Sequence, residues 1–308
     1  MFQRLAFSDL GTIEPPLSLA LGVFDGIHLG HQAVMGRAID HAKETGGVAG
    51  VLTFEPHPIQ VLAPQQAPRR LLASLSHKER LLQELGMDLL VVVDFDQAFA
   101  AREPEHFLEM LAQAPKLSSL AMGGDWRFGK DRRGNVELLK RFGAEHEVTI
   151  ESVAAVMMKG ERISSTRIRQ ALRDGNLSAA EEMLGRPYSV MGEVVQGRKL
   201  GRELGCPTAN IIPQSEQLPP DGVWAVEARW QDDWYPAVAN LGRRPTVGSE
   251  EERTLEVHLL DWKGDLYGKA LEVRFRKKLR GEKKFAGLDP LKKQIGRDIV
   301  EARKLLIL

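Results

Sequence analysis

The 308-residue sequence is poor in cysteine, in unbalanced charge and in long apolar runs. Its single cysteine, Cys206, excludes an internal disulfide and is typical of a protein in a reducing cytoplasm. Lys plus Arg and Asp plus Glu both number 42, so no global field draws in nucleic acid or an anionic membrane. No stretch reaches the roughly 20 apolar residues of a membrane span, and the first residues lack a signal-peptide pattern. We therefore expect a cytoplasmic protein without a membrane partner, in which any anion site is local.

The first half of the chain alternates strand-like and helix-like patterns. Short apolar runs rich in Val, Leu and Ile, typical of strands covered on both faces, lie at residues 17–24, 47–54, 88–95, 117–122 and 148–156. After the first run, apolar residues recur at helical spacing from Val34 to Ala42 and stop at Gly46. Ser76 and Glu79 form the capping box of a later predicted helix. The alternation predicts a doubly wound α/β domain with a mostly parallel sheet.

The second half, from Tyr188 onward, changes to a period of two. In residues 222–230, Trp and Val side chains share one face, whereas Glu227 and Arg229 share the other. Turn residues separate several such segments, so the pattern predicts an antiparallel barrel or sandwich.

A terminal helix and a domain boundary complete this organisation. Asp289 is the predicted N-cap of the helix, and an apolar stripe runs from Leu291 to Leu306. We place the boundary at Arg186, which gives domains of residues 1–185 and 186–308.

The segment GVFDGIHLGH, residues 22–31, joins the first predicted strand to the first helix. Ligands of open α/β sheets lie beyond the carboxyl ends of strands, where helix N-termini favour phosphate. Glycines permit close approach of the backbone, and His28 and His31 supply donors for developing phosphate charge. Loop histidines are the alternative for an arbitrary H-x-x-H, and a zinc site is weaker because no cysteine or acidic cluster is near. The position favours phosphate chemistry.

A second segment suited to anions is ERISSTRIRQAL, residues 161–172. Three hydroxyl side chains at 164–166 open a predicted helix, and Arg162, Arg167 and Arg169 add positive charge. Alone, such a start is usually only an N-cap. Together with the first segment, it favours a polyphosphate site.

Eight motifs in order resemble a known family. Those of the first half resemble the FMN adenylyltransferase domain of prokaryotic bifunctional riboflavin kinase/FAD synthetases: GVFDGIHLGH (22–31), TFEPHP (53–58), GGDWRFG (123–129) and RISSTRIR (162–169). Those of the second half resemble the flavokinase domain: GRELGCPTANI (201–211), DGVWAV (221–226), VANLGRRPT (238–246) and LEVHLLD (255–261) with DLYG (265–268). The resemblance covers almost the whole chain. It implies a Rossmann-like nucleotidyltransferase domain followed by a mostly antiparallel β-barrel kinase domain with a terminal helix.

The resemblance also implies two reactions and their cofactors. Riboflavin and ATP would give FMN in the barrel, and FMN with a second ATP would give FAD and pyrophosphate in the first domain. Such transfers need positioning and charge stabilisation, so Mg²⁺ is the expected metal. The implied partners are small molecules (ATP, riboflavin and FMN), and no oligomeric state is indicated.

For the first domain, the resemblance implies catalytic roles for His28 and His31. It implies ATP or phosphate contacts for Gly22, Phe24, Asp25, Gly26, Gly30, Asp125, Arg162, Ser165, Thr166 and Arg169. The turn of Pro56, His57 and Pro58 is implied to lie near the flavin, although two prolines could simply fix a loop.

For the barrel, the resemblance implies that Glu256 is the base for the ribityl hydroxyl. It implies ATP or flavin contacts for Gly197, Gly201, Pro207, Thr208, Asn210, Asn240 and Arg280, with Thr208 and Asn210 as oxygen ligands of Mg²⁺. Strand alternation puts Glu256 opposite Leu255 and Val257, which alone would suggest a solvated carboxylate. Cys206 replaces the family's usual phenylalanine and is not needed as a nucleophile.

Two alternatives remain at the level of sequence. One is a nucleotidyltransferase with a single activity whose barrel only binds a ligand. The other is a nucleic-acid-binding barrel that uses the basic stretch RFRKKLRGEKK, residues 274–284. That stretch lacks interleaved aromatic residues for base stacking, so we expect no nucleic-acid partner.

Overall fold

The computed structural model describes residues 2–68, 70–196, 205–213, 216–244 and 252–306. The chain divides into two compact units, one of Met1–Arg69 with Leu75–Ser165 and the other of Arg70–Ser74 with Thr166–Leu308. Packing thus divides the chain after Ser165, whereas the boundary between functional domains at Arg186 stays a prediction.

The first unit is an α/β layer structure, with a two-stranded ribbon near its end. Its strands are β1 Gln3–Ala6, β2 Leu17–Leu21, β3 Val48–Glu55, β4 Leu89–Asp94, β5 Leu117–Gly123, β6 Thr149–Val153, β7 Met157–Met158 and β8 Glu161–Arg162. Its α-helices are α1 Leu29–Thr45, α2 Pro58–Leu62, α3 Leu75–Glu84, α4 Gln97–Ala100, α5 Pro104–Leu111 and α6 Val136–His146. Single 3₁₀ turns occupy Phe7–Thr12, Pro64–Gln66 and Lys130–Arg132.

The main sheet has the order β1-β4-β3-β2-β5-β6, with every described neighbouring pair parallel. From β2 the chain builds outward through β3 and β4, then returns to place β5 on the other side of β2. Ligands of such sheets bind where the strand order reverses, beyond the carboxyl ends. The turns that follow β2 and β5 therefore occupy the expected ligand position, and the α/β prediction is confirmed.

Successive residues of the central strands enter two separate hydrophobic clusters. Leu19 and Leu52 belong to one cluster, whereas their neighbours Ala20 and Val51 belong to the other. All four are almost fully buried. Burial on both faces explains why these strands are continuous apolar runs in the sequence.

Two local predictions in this unit are wrong. The first strand ends at Leu21 rather than at residue 24, because the backbone turns at Phe24, where φ is 53°. Helix α3 begins one residue before Ser76, which therefore lies inside the helix instead of capping it. Glu79 accepts a hydrogen bond from Arg4 at 3.0 Å, so its side chain forms an ion pair with a β1 residue.

The second unit is a closed antiparallel barrel with helices. Its strands, in the barrel order β10-β13-β12-β11-β14-β9, are β9 Ser189–Val195, β10 Ala209–Pro213, β11 Gly222–Trp230, β12 Asp233–Arg244, β13 Glu252–Leu259 and β14 Ala270–Arg280. Helix α7 Ser165–Arg173 leads into this unit, followed by α8 Leu177–Leu184, and the last helix is α9 Leu288–Leu306. The sequence pattern predicts either an antiparallel barrel or a sandwich for this half, and the structure contains a closed barrel. Helix α9 starts one residue early, so Asp289 lies in its first turn rather than at its N-cap.

Period two in the barrel strands separates an apolar interior from a polar exterior. Trp224 and Phe275 are at most 2% exposed, and their rings meet edge to face at 5.7 Å. Outside, Glu227 forms ion pairs with Arg274 and Arg276 from the neighbouring strand. Polar residues at alternate positions of these strands are thereby available on the outer face.

Candidate active sites

The turn between β2 and α1 holds an unusual backbone. Phe24, Gly26 and Ile27 all have positive φ, at 53°, 81° and 43°. Left-handed conformations are costly for residues other than glycine and persist only where surrounding structure enforces them. Phe24 and Ile27 are buried, at 3% and 0% exposure, so core packing holds the turn.

Both histidines of the first motif lie where this turn enters the helix. His28 is the N-cap of α1, and its Nδ1 accepts from the His31 backbone N–H at 3.3 Å. The two rings stack with centroids 3.6 Å apart. A Cβ on Gly30 would come within 3.2 Å of the His28 ring, so glycine leaves room for the imidazole. Because Nδ1 accepts, neutral His28 carries its proton on Nε2, as a donor to phosphate requires.

The two segments that the sequence marks as suited to anions meet in the structure. Ser165, the first residue of α7, donates its hydroxyl to the Asp25 carbonyl at 3.0 Å. Asp25 is buried, at 3% exposure. Thr166 follows in the first turn of α7, and Arg169 one turn later. Within the first unit, this contact brings Ser165 to the β2–α1 turn.

Asp125 and Arg162 form an exposed ion pair near the ends of β5 and β8. The guanidinium donates to both carboxylate oxygens, with Nη2 and Oδ1 3.1 Å apart. This hydrogen bonding lowers the pKa of Asp125 and raises the pKa of Arg162. Both groups are therefore charged near neutral pH, and the carboxylate orients the arginine that precedes the Ser164–Thr166 run.

The turn after β3 serves a helix-capping function. His57 Nδ1 accepts from the Ile59 backbone N–H at 3.2 Å, and Pro58 is the first residue of α2. The Glu55–Pro56 peptide is cis. These local contacts agree with the loop-fixing alternative for His57, and a place near the flavin stays a prediction for this turn.

In the barrel, strand register aligns four predicted residues. Asn210 pairs with Glu256, which pairs in turn with Asn240. Val223 continues the row between Asn240 and Arg280. Directly opposed residues of neighbouring strands project to the same face. The row therefore crosses β10, β13, β12, β11 and β14 on one side of the barrel wall.

The alternation of burial in β13 places Glu256 on the outer face, although Asn210 beside it is only 9% exposed. Leu255 and Val257 are fully buried, whereas Glu256 between them is half-buried. Thr208, two residues before Asn210, is also half-buried and precedes β10 directly. A hydroxyl, an amide and a carboxylate thus come from adjacent segments of the wall.

Arg280 has a structural partner at the end of the row. Its Nε and Nη2 donate to the Asp298 carboxylate of α9 at 3.1 and 2.9 Å. Asp298 is 4% exposed and also accepts from Gln294 at 2.8 Å. Arg280 therefore ties β14 to α9, and its contact with flavin stays a prediction. The predicted positions Gly197 and Gly201 lie outside the described residues.

The oxygen donors of the barrel fit Mg²⁺. Among the described residues, no group of three or more His, Cys, Asp or Glu side chains is placed to hold a metal ion. Mg²⁺ is usually held by few protein oxygens, with water and substrate phosphates completing its shell, and Thr208 and Asn210 are such donors. Burial raises the pKa of the Cys206 thiol, which disfavours a thiolate ligand or nucleophile there.

Comparison with known proteins matches both halves. The sequence model of FAD synthetase matches residues 12–167, and that of riboflavin kinase matches residues 184–306. The Escherichia coli K12 bifunctional riboflavin kinase/FMN adenylyltransferase is 43% identical over 288 residues, covering 93% of this chain and 91% of the relative. The chain belongs to this bifunctional family. A Bacillus subtilis member is 36% identical over 287 residues, covering 92% of this chain and 90% of its own length.

A solved structure similar to this bifunctional transferase supports the fold. It comes from Streptococcus pneumoniae, is described as a macrolide-efflux protein, and matches with a TM-score of 0.81 and 32% identity. The match covers 97% of this chain and 98% of that one. This similarity supports the fold, whereas the family models and the bacterial relatives show the family. In the described part of this chain, no helix is long and apolar enough to cross a membrane.

Three polar residues beside the candidate sites of this family member have no predicted role in the sequence. Lys78 of α3 and Thr53 of β3 both donate to the Val23 carbonyl, at 3.1 and 2.9 Å. His258 Nδ1 donates to the Pro207 carbonyl at 2.8 Å. A signal existed for His258, which lies two residues after Glu256 and so on the same strand face.

Proposed function

We propose that the β2–α1 turn with the start of α7 is the adenylyltransferase site, and that the Asn210–Glu256–Asn240 row is the riboflavin kinase site. One observation carries each assignment. Ser165 joins the two anion-suited segments at Asp25. Strand register brings Asn210 and Asn240 to either side of Glu256.

In adenylyl transfer, a phosphate oxygen of FMN attacks the α-phosphorus of ATP, and the bond to pyrophosphate breaks. His28 and His31 donate to phosphate oxygens as negative charge develops on the leaving group. The triphosphate is held by Arg162, Ser165, Thr166 and Arg169, which combine fixed charge with helix N-terminal N–H groups. Asp125 keeps the Arg162 guanidinium in place.

In riboflavin phosphorylation, the terminal ribityl oxygen attacks the γ-phosphorus of ATP, and ADP leaves. Glu256 accepts the hydroxyl proton, which makes the oxygen a better nucleophile. Its place beside Asn210 puts this base next to the phosphate-binding segment Pro207–Asn210. Half-burial leaves the carboxylate accessible to substrate.

We propose that both reactions require Mg²⁺, with Thr208 and Asn210 as its protein ligands in the kinase. The ion supplies positive charge that neutralises the phosphates during transfer. The role of these two residues is to fix its position by oxygen donors of low polarisability.

We also propose a cytoplasmic enzyme with small-molecule partners and no nucleic-acid partner. The basic stretch of residues 274–284 supports the absence of a nucleic-acid partner, because its arginines have protein partners. Arg274 stacks on Trp234 at 3.8 Å, Arg276 pairs with Glu227 at 2.6 Å, and Arg280 pairs with Asp298. Partners of this kind reduce the charge that the stretch offers to a phosphate backbone.

A time course with riboflavin, ATP and Mg²⁺, separated by chromatography, tests the proposal. FMN should accumulate first and FAD should follow, and a chelator should stop both. FMN without FAD, or activity that persists after chelation, would contradict the corresponding part. A parallel reaction started from FMN separates the second step from the first.

A further inference from the structure

Lys78 is a buried lysine that lies directly behind the β2–α1 turn. It is 2% exposed and belongs to α3, on the same helical face as the buried Leu81 and Leu82. Burial of an ammonium group is costly unless it is paired or hydrogen-bonded. A lysine at such a position therefore needs a reason beyond packing.

Its Nζ donates to the Val23 carbonyl at 3.1 Å. The same carbonyl accepts from the Thr53 hydroxyl at 2.9 Å, and Thr53 is fully buried. Two donors from two different elements thus hold one carbonyl oxygen. Val23 immediately precedes Phe24, the first residue of the turn with a left-handed backbone.

The surroundings of the ammonium are acidic. Asp25 of the turn and Glu55 at the end of β3 both act electrostatically to raise the pKa of Lys78, whereas desolvation by burial is the larger effect and lowers it. Asp25 is itself buried and offers its backbone carbonyl to Ser165. The Lys78 ammonium therefore donates to the backbone before the turn and is influenced electrostatically by two carboxylates.

We propose that Lys78 is a positioning residue of the adenylyltransferase site: by holding the Val23 carbonyl, it fixes the strained turn that places the imidazoles of His28 and His31. This inference rests on the proposed roles of those histidines. It adds that an ammonium group supports the turn through the Val23 carbonyl, together with the Thr53 hydroxyl.

The Lys78→Met variant tests the proposal, because methionine fills similar space without charge or a donor. We expect kcat for FAD formation from FMN to fall about 10²-fold, as for a misplacement of about 1 Å, with the KM for FMN changed far less. Riboflavin phosphorylation by the same chain is the internal control and should be unchanged. Lys140→Met, at an exposed lysine of the same unit, is the matched control and should leave both activities intact.

A second arm uses Thr53→Val, which removes the other donor to the same carbonyl at nearly constant shape. Its effect on FAD formation should be smaller, and the double variant should lose less than the product of the two single losses, because both act through Val23. The Thr53→Val variant also tests the proposal if Lys78→Met does not fold, that is, if it shows no cooperative melt. In that case, normal FAD formation by Thr53→Val would overturn the proposal.

The pH profile provides a readout that a purely structural role would not move. Because the pKa of Lys78 is lowered, its charge is lost as pH rises, below the range of an ordinary lysine. FAD formation should therefore fall on the alkaline side, and Lys78→Arg, which retains its charge, should move that limb to higher pH. An unchanged limb in a folded Lys78→Arg would contradict the proposal.

A comparison of Lys78→Met with His28→Ala/His31→Ala separates failure of this inference from failure of the proposed function. Normal FAD formation by this variant, alongside loss in His28→Ala/His31→Ala, would overturn the role of Lys78 alone. Normal FAD formation by the histidine variant would overturn the proposed site itself. Equal loss of FMN and FAD formation in Lys78→Met would show a general structural effect and also overturn the inference.

Discussion

The two proposed sites of this chain are built in different ways. The proposed adenylyltransferase site lies on a turn whose backbone is strained at Phe24 and Ile27, and burial of these two side chains holds the turn. The proposed kinase site lies on barrel strands, where strand register aligns Asn210, Glu256 and Asn240. The geometry of a site on a turn depends on the residues that support the turn. The geometry of a site on a sheet is set by the backbone hydrogen bonds between its strands. We therefore expect supporting residues to matter more in the first site than in the second.

Loss of the proposed base, Glu256 on strand β13, should reduce activity most. Glu256→Gln keeps the size of the side chain and removes the proton acceptor, so riboflavin phosphorylation should fall by roughly 10²–10⁴-fold. Steady-state kcat with riboflavin and ATP measures this. Glu193→Gln, at an exposed carboxylate of β9, is the control and should behave like the unmodified enzyme. A loss below threefold would mean that Glu256 is not the base.

Loss of the His28 imidazole should have the next largest effect on activity. His28→Ala removes both a helix cap and a donor to phosphate, and FAD formation should fall on the order of 10²-fold or more. His28→Asn separates the two roles, because asparagine caps helices well but lacks the imidazole. If His28→Asn restores activity, then capping, and not donation to phosphate, explains the histidine. His146→Ala, at an exposed histidine of α6, controls for the substitution itself.

A smaller effect is expected from crowding the imidazole. The Cβ of Gly30→Ala would lie 3.2 Å from the His28 ring, so the ring must shift by a few tenths of an ångström. FAD formation should fall roughly tenfold, less than for a full misplacement. Gly36→Ala in the same helix has open space around it and should leave activity intact. It should also raise stability by about 0.5–1 kcal/mol in thermal melts. Equal activity of the two variants would contradict the strict placement of His28.

The smallest effect concerns the exposed Asp125–Arg162 pair. Arg162 lowers the pKa of Asp125, so its contribution to stability is present above the ordinary value of 3.8 and is lost as pH falls through the lowered pKa. Arg162→Met should return the pKa of Asp125 toward 3.8 in a carboxyl NMR titration, while stability at neutral pH changes little. Arg127→Met removes a weaker influence and should produce a smaller shift. An unshifted pKa in Arg162→Met would show that the pair does not form in solution.

Much of the fold could be predicted because burial leaves a periodic trace. The central parallel strands are apolar throughout, and the barrel strands alternate, so both sheets could be recognised. Strand β1 could not be recognised, because Gln3, Arg4 and Ala6 are exposed at the sheet edge. The ends of several elements differ from the predicted ends by one to three residues. The left-handed backbone at Phe24, just after β2, has no signature in a residue other than glycine.

The sequence indicates the candidate residues of the two proposed sites more readily than the residues that support them. His28, Ser165 and Glu256 lie in motifs, and each motif is continuous in the sequence. Lys78 and Val23 are 55 residues apart, and the contact is between a side chain and a backbone carbonyl, which leaves no pattern in either segment. The capping role of His57 was likewise open, because two prolines could either shape a pocket or fix a loop.

We expect that each of the two reactions can be removed without the other, and one experiment with two variants tests this. Glu256→Gln and His28→Ala/His31→Ala are each incubated with ATP and Mg²⁺, once with riboflavin and once with FMN, and the flavins are separated by chromatography. We expect Glu256→Gln to convert FMN to FAD at the normal rate but to phosphorylate riboflavin roughly 10²–10⁴-fold more slowly, whereas the histidine variant should accumulate FMN with little FAD. If Glu256→Gln fails to make FAD from FMN while its first unit melts normally, the division of labour between the two sites is wrong.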